Sequence, residues 1–160
     1  MYSKKEFHLQ DGGLIQKWEK EDTIKTKKVK IYPTIEQKKA IKRWFGTYRY
    51  VYNQFLNYTK ENNDNKEWLN NYKMRDKFVT YKYSNNTINP FFENKEWMKE
   101  TPKEIRAEAI RSCISGYKGN FTKIKKKLIT HYKMNYKSKK FTESIGIPKQ
   151  SIKLSKNVKW

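Results

Sequence analysis

The apolar positions of this 160-residue chain change their period several times, and each change marks an element. Residues 25–32 (KTKKVKIY) alternate, with Val29 and Ile31 on one face and Lys28, Lys30 and Tyr32 on the other. That predicts a half-buried strand with a basic outer face, ended by Pro33. Thr34 follows as a helix cap, with Gln37 placed to complete a capping box. Ile41, Trp44, Phe45, Tyr48, Tyr52, Phe55 and Leu56 then hold one side of a helix turning roughly 100° per residue. The stripe passes through Gly46 in phase. A helix-turn-helix bending at Gly46 would break that phase, so the pattern predicts one helix over 34–60, closed by the polar run Asn62–Asn65.

Trp68, Leu69, Tyr72, Phe78 and Val79 predict a weaker helix within 66–80, and 84–90 (SNNTINP) reads as a loop. Thr101-Pro102-Lys103-Glu104 carries the signals of a helix start: Thr as N-cap, Pro at N1, Glu at N3. Ile110, Cys113, Ile114, Tyr117, Phe121, Ile124 and Leu128 give that second long helix one apolar face, with Gly116 and Gly119 off it, where close packing would use them. The period then returns to two. Tyr132, Met134 and Tyr136 alternate with Lys133, Asn135 and Lys137, and 144–148 (SIGIP) and 151–155 (SIKLS) read as two further short strands. Residues 1–24 show no sustained period and read as a loosely structured extension. The order strand, helices, strands predicts an α+β fold: a helical insertion (34–128) in a small β-barrel, complete or not, made from 25–33 and 129–160.

Composition changes this picture in one respect, charge. Mean hydropathy is −1.12, yet 16% of residues are aromatic, which argues for a folded chain. The net charge is +21. AT-rich codons alone could enrich lysine, but evenly, whereas here the charge is segregated. Residues 1–24 carry −1, 25–43 carry +7, 44–117 carry +3 and 118–160 carry +12, the last with thirteen lysines and Glu143 as its one acid. Segregated positive charge is the footprint of a polyanion site. No apolar run approaches the length of a membrane span, and residues 1–13 lack the apolar segment of a secretory signal, so an intracellular protein is expected.

Catalytic chemistry is not visible. Cys113 is the single cysteine, and His8 and His131 stand apart, so no metal site is expected. Glu93, Glu96, Glu100, Glu104 and Glu108 read as a solvated face paired with Lys99, Lys103 and Arg111. No catalytic residue and no cofactor are expected.

The run KTKKVKIYPTIEQKKAIKRWFGTYRYVYN (25–53) resembles the start of TnpB proteins, the OrfB products of insertion sequences, a start shared with the related Fanzor proteins. WMKETPKEIRAEAIRSCISGYKGNF (97–121), KMNYKSKK (133–140) and SIGIPKQSIKL (144–154) are similar to the blocks that follow in that family. TnpB proteins are RNA-guided DNA endonucleases. The resemblance implies that 25–33 and 129–160 are strands of a wedge domain and that 34–128 is its recognition lobe. The RuvC acids and zinc cysteines of the family lie downstream of the matching blocks, so none can be carried over. The resemblance implies binding to guide-type RNA or DNA, with the nuclease part missing or on a separate chain. A stand-alone DNA-binding protein of helix-turn-helix type and a non-functional relic are the alternatives.

Two surfaces are candidates for nucleic acid, in addition to Lys28 and Lys30 on the first strand. Opposite the stripe of the first helix lie Lys39, Lys42, Arg43, Gly46, Arg49, Tyr50 and Asn53. The missing side chain at Gly46 would admit either a sugar-phosphate backbone or a neighbouring helix. The second surface is Lys125, Lys126, Lys127, Lys133, Lys137, Lys139 and Lys140 with Tyr132 and Tyr136. There the tyrosines would either stack on bases or form a barrel core beneath solvated lysines. Trp44, Phe45, Tyr52, Phe55 and Trp97 are expected in the core.

Overall fold

The structure, a computed structural model, describes residues 5–10, 13–18, 28, 30–140 and 144–146. The chain divides into two units, 1–32 and 33–160. In the first, β1 (Lys5–Gln10) and β2 (Gly13–Trp18) pair antiparallel, from Lys5 opposite Trp18 to Gln10 opposite Gly13. The expectation of a loosely structured extension is corrected here. Asp11-Gly12, between the strands in sequence, is the residue pair that a two-residue hairpin connection favours.

The second unit is helical. Its first helix, α1 (Ile35–Glu61), starts as its sequence dictates: the Thr34 hydroxyl accepts from Gln37 N–H and the Gln37 side chain accepts from Thr34 N–H. The helix runs through Gly46 without a break. A polar turn, a 3-10 turn at Lys66–Leu69 and the short helix α2 (Asn71–Phe78) follow. Asn70 caps α2 at its start. At its other end, buried Asn89 donates to the carbonyls of Asp76, Lys77 and Thr80, and the Arg106 guanidinium donates to Val79 at 3.0 Å. A cation and an amide thus satisfy carbonyls that a helix end leaves unpaired. Two more 3-10 turns, Pro90–Phe92 and Glu96–Glu100, lead into α3 (Lys103–Lys125).

α1 and α3 form the core. Thr47 meets Thr101, Tyr52 meets Cys113 and Thr59 meets Tyr117, so the partners advance together and the helices run in the same sense. Val51, Phe55, Leu56, Ile110, Cys113 and Ile114 fill the seam, with Trp68 and Met98 closing it. Burial pushes the Cys113 thiol up to about 12, so it packs as a small apolar group. Thr101 is not the cap of α3. That place falls to Pro102, which makes no side-chain capping bond, while the buried Thr101 hydroxyl donates to Thr47 at 2.7 Å. α3 also stops early. Lys127 turns left-handed and Leu128 N–H returns to the Lys123 carbonyl, so Leu128 leaves the stripe and is exposed.

The barrel is overturned. The hairpin is the only sheet among the described residues. Lys28 and residues 30–33 form no strand, nor do 129–140 or 144–146. The strand expected at 151–155 lies outside the described residues. The alternation at 132–136 has another cause: this extended segment lies across α1 and α3. Tyr132 packs edge-on against Tyr117 and Phe121, and Met134 reaches Gly116, where an added Cβ would stand 2.8 Å from its methyl. A groove between helices imposes the same in-and-out period as a sheet.

Candidate nucleic-acid interface

On the solvent side of α1, Lys39 and Lys42 are exposed and Gly46 faces open space: a Cβ built there meets no atom within 4 Å. No neighbouring helix packs against this glycine, so that one of the two readings weighed for it is set aside. Arg43, one turn before it, pairs with Glu100 at 2.6 Å, both side chains more than half exposed. Tyr50, one turn after it, stands edge-on to Trp97, ring centroids 5.3 Å apart, and lies 6.4 Å from Phe91. Burial raises the Tyr50 hydroxyl above its ordinary value. Arg49 is half-buried on the same side of the helix.

Asn53 does something else. Its amide donates to the Lys137 carbonyl at 3.0 Å and its carbonyl accepts from Lys137 N–H at 2.8 Å, the exchange two strands would make. Both of its polar groups hold the chain's own backbone, so its expected role as a donor to nucleic acid is corrected.

Beyond α3 most of the candidate lysines face solvent, whereas Tyr132, Tyr136 and Lys137 are engaged within the fold. Lys123, Lys125, Lys126, Lys127, Lys133, Lys139 and Lys140 are exposed. Those at the end of α3 also lie where the helix dipole favours cations. Tyr132 is inside, its hydroxyl raised first by burial. Tyr136 donates to Asn57 at 2.5 Å beneath the Lys60 ammonium, 3.9 Å from its ring. Lys137 folds back over Tyr52 and Tyr48, at 4.9 and 5.4 Å from the ring centroids. The second surface is therefore a lysine tract whose rings are turned inward or tied down. Lys28 and Lys30 are exposed as well.

Of the five rings expected in the core, Tyr52 and Phe55 are buried and Trp44 is packed against them in part; Phe45 is half-buried outside the core, and Trp97 is 47% exposed. The 3-10 turn holding it is too short for periodicity to show which way a ring points. Among the described residues no group of three or more His, Cys, Asp and Glu could hold a metal ion. No helix there is long and apolar enough to cross a membrane.

Residues 23–67 match a family model described as a helix-turn-helix domain, of the OrfB type found in insertion sequences. The match takes in α1, the turn after it and the start of the next 3-10 turn, so the bend within it falls at Asn62–Asn65 and not at Gly46. A relative from Paramecium bursaria Chlorella virus 1, named "Putative transposase A625R", is 32% identical over 123 residues, 77% of this chain. The chain spans 28% of that relative's length. No solved structure matches it.

Proposed function

The chain carries the N-terminal region of TnpB, or OrfB-type, insertion-sequence proteins, and from that premise we propose that it is their nucleic-acid-gripping module. The observation that carries this reading is the disposition of charge. Lys39 and Lys42 on α1 and the lysines of 123–140 other than Lys137 are exposed, and no acidic residue falls between 118 and 140 to neutralise them. In this reading the lysines neutralise phosphates and release counterions, which supplies affinity without reading sequence. The partner is guide-type RNA or the DNA beside its target, in line with the resemblance to RNA-guided endonucleases. The module binds and does not cut: any cleavage belongs to a RuvC-type part outside these residues, in the same protein or on a separate chain.

The test is salt-dependent binding of the purified chain to structured RNA and to duplex DNA. Neutralising roughly 6–10 phosphates predicts a fall of about 10³–10⁵ in affinity between 50 and 200 mM salt. Binding that is flat across that range, or absent at the low end, sinks the proposal.

A further inference from the structure

Trp97, Glu100, Arg43, Tyr50 and Gly46 form one arrangement that the binding role does not absorb. Arg43, Gly46 and Tyr50 are spaced at three and four residues, hence on one side of α1, about 10 Å from end to end at 1.5 Å per residue. Facing them is the 3-10 turn Glu96–Glu100. Residues three apart eclipse in such a turn, so Trp97 and Glu100 point the same way. The two elements touch twice: Tyr50 against Trp97 at 5.3 Å, and Arg43 against Glu100 at 2.6 Å. Between these contacts lies Gly46, with nothing within 4 Å of where its side chain would be. The result is a notch floored by bare helix backbone, with a half-exposed indole at one end and a guanidinium at the other.

A helix interior is a costly place for glycine, and no packing partner here requires one. Trp97 packs one edge on Tyr50 and keeps 47% of its surface in solvent, directly beside that glycine's open side. Both are explained by one ligand. We propose that the notch takes a single nucleotide whose base is free of its neighbours. The base stacks on Trp97, the sugar passes over Gly46, and the phosphate binds Arg43 in place of Glu100. Glu100 is then a stand-in for phosphate, which holds Arg43 in position and must be displaced on binding. Trp97 selects strands with accessible base faces over continuous duplex, because an intact stack offers no free face. This inference rests on the nucleic-acid reading above.

The experiment compares a single-stranded oligonucleotide with a blunt duplex of equal length, by fluorescence anisotropy at 50 mM salt. Trp97→Ala is expected to weaken strand binding about tenfold, the scale of one lost base–aromatic stack, and duplex binding less than twofold. Trp97→Phe retains most of the affinity. Gly46→Leu fills the notch and lowers strand affinity to the same degree while raising Tm, since leucine favours the helix over glycine. Misfolding therefore cannot mimic its result. Glu100→Gln frees Arg43 and tightens binding several-fold. The notch is overturned if Gly46→Leu binds the strand as the wild type does, or if Trp97→Ala weakens strand and duplex equally. Wild-type protein that binds neither probe would instead overturn the nucleic-acid reading itself.

Discussion

The two basic regions of the helical unit each leave one aromatic ring half exposed, but hold it differently. Beside α1, Trp97 remains half exposed next to a glycine that faces open space, and the charged groups are few and placed. Along 123–140, Tyr132 is packed on Tyr117 and Phe121, Tyr136 is as exposed as Trp97 but bonded to Asn57 and covered by Lys60, and every lysine but Lys137 stands in solvent. Charge beside a shaped, open helix face characterises the first, charge on flexible stems the second. A lysine held only by its own flexible stem can follow any phosphate, so the tract contributes attraction that ignores sequence and strandedness. An indole and a guanidinium positioned by a rigid helix and the turn packed on it can prefer one ligand over another. The difference suggests a division of labour, in which the tract supplies affinity and the α1 face supplies discrimination.

The strongest way to break that division is to remove the tract's charge. Replacing Lys123, Lys125, Lys126, Lys127 and Lys133 together by Gln should lower affinity at 50 mM salt by about 10²–10³. It should also reduce the slope of log K against log salt by up to about 4, since each phosphate contact contributes roughly 0.7–0.9. Strand and duplex should lose alike. A titration series on both probes checks this. A loss confined to one of them would mean that the tract also discriminates, and the comparison would fail.

A smaller effect is expected where the tract is anchored. Asn53→Ala removes both bonds to Lys137, at about 1 kcal/mol each, so stability should fall by about 2 kcal/mol in urea unfolding. The Lys137 amide should exchange faster with solvent. The salt slope should hold, because no phosphate contact is lost. A changed slope with unchanged stability would return Asn53 to the nucleic-acid surface.

What could be read in advance followed from how local each signal was. The start of α1 is written in Thr34 and Gln37, two residues within one turn that need no distant partner, and its stripe continued in phase through Gly46 because the helix does. The barrel failed for the converse reason. Alternation at 132–136 records that Tyr132 and Met134 turn toward the helices while Lys133 and Asn135 face solvent, and a groove between two helices satisfies that as well as a neighbouring strand would. The reciprocal Asn53–Lys137 bonds, which replace the strand's ladder, join residues 84 apart in sequence. Thr101 carries a cap signal but spends its hydroxyl on Thr47, a partner 54 residues away. The β1–β2 hairpin was legible in principle from Asp11-Gly12. The outward turn of Trp97 was not, because it depends on Tyr50 and on a 3-10 turn of five residues.

The finest test of the comparison uses two of the three glycines that interrupt the long helices. Gly46 and Gly116 lie in the interiors of α1 and α3, where glycine costs about 1 kcal/mol relative to alanine. At Gly46 a methyl meets nothing within 4 Å, so Gly46→Ala should recover nearly all of that and stabilise the fold by about 1 kcal/mol. At Gly116 a methyl would stand 2.8 Å from the Met134 Cε atom. That methyl is the end of a flexible side chain and can move, but only by giving up part of its packing on α3. The two terms nearly cancel, and Gly116→Ala should change stability by less than about 0.5 kcal/mol. Paired urea melts decide it. A glycine kept for the protein's own packing is Gly116; a substitution at Gly46 that failed to stabilise would place a hidden internal contact there, and with it the notch would lose its floor.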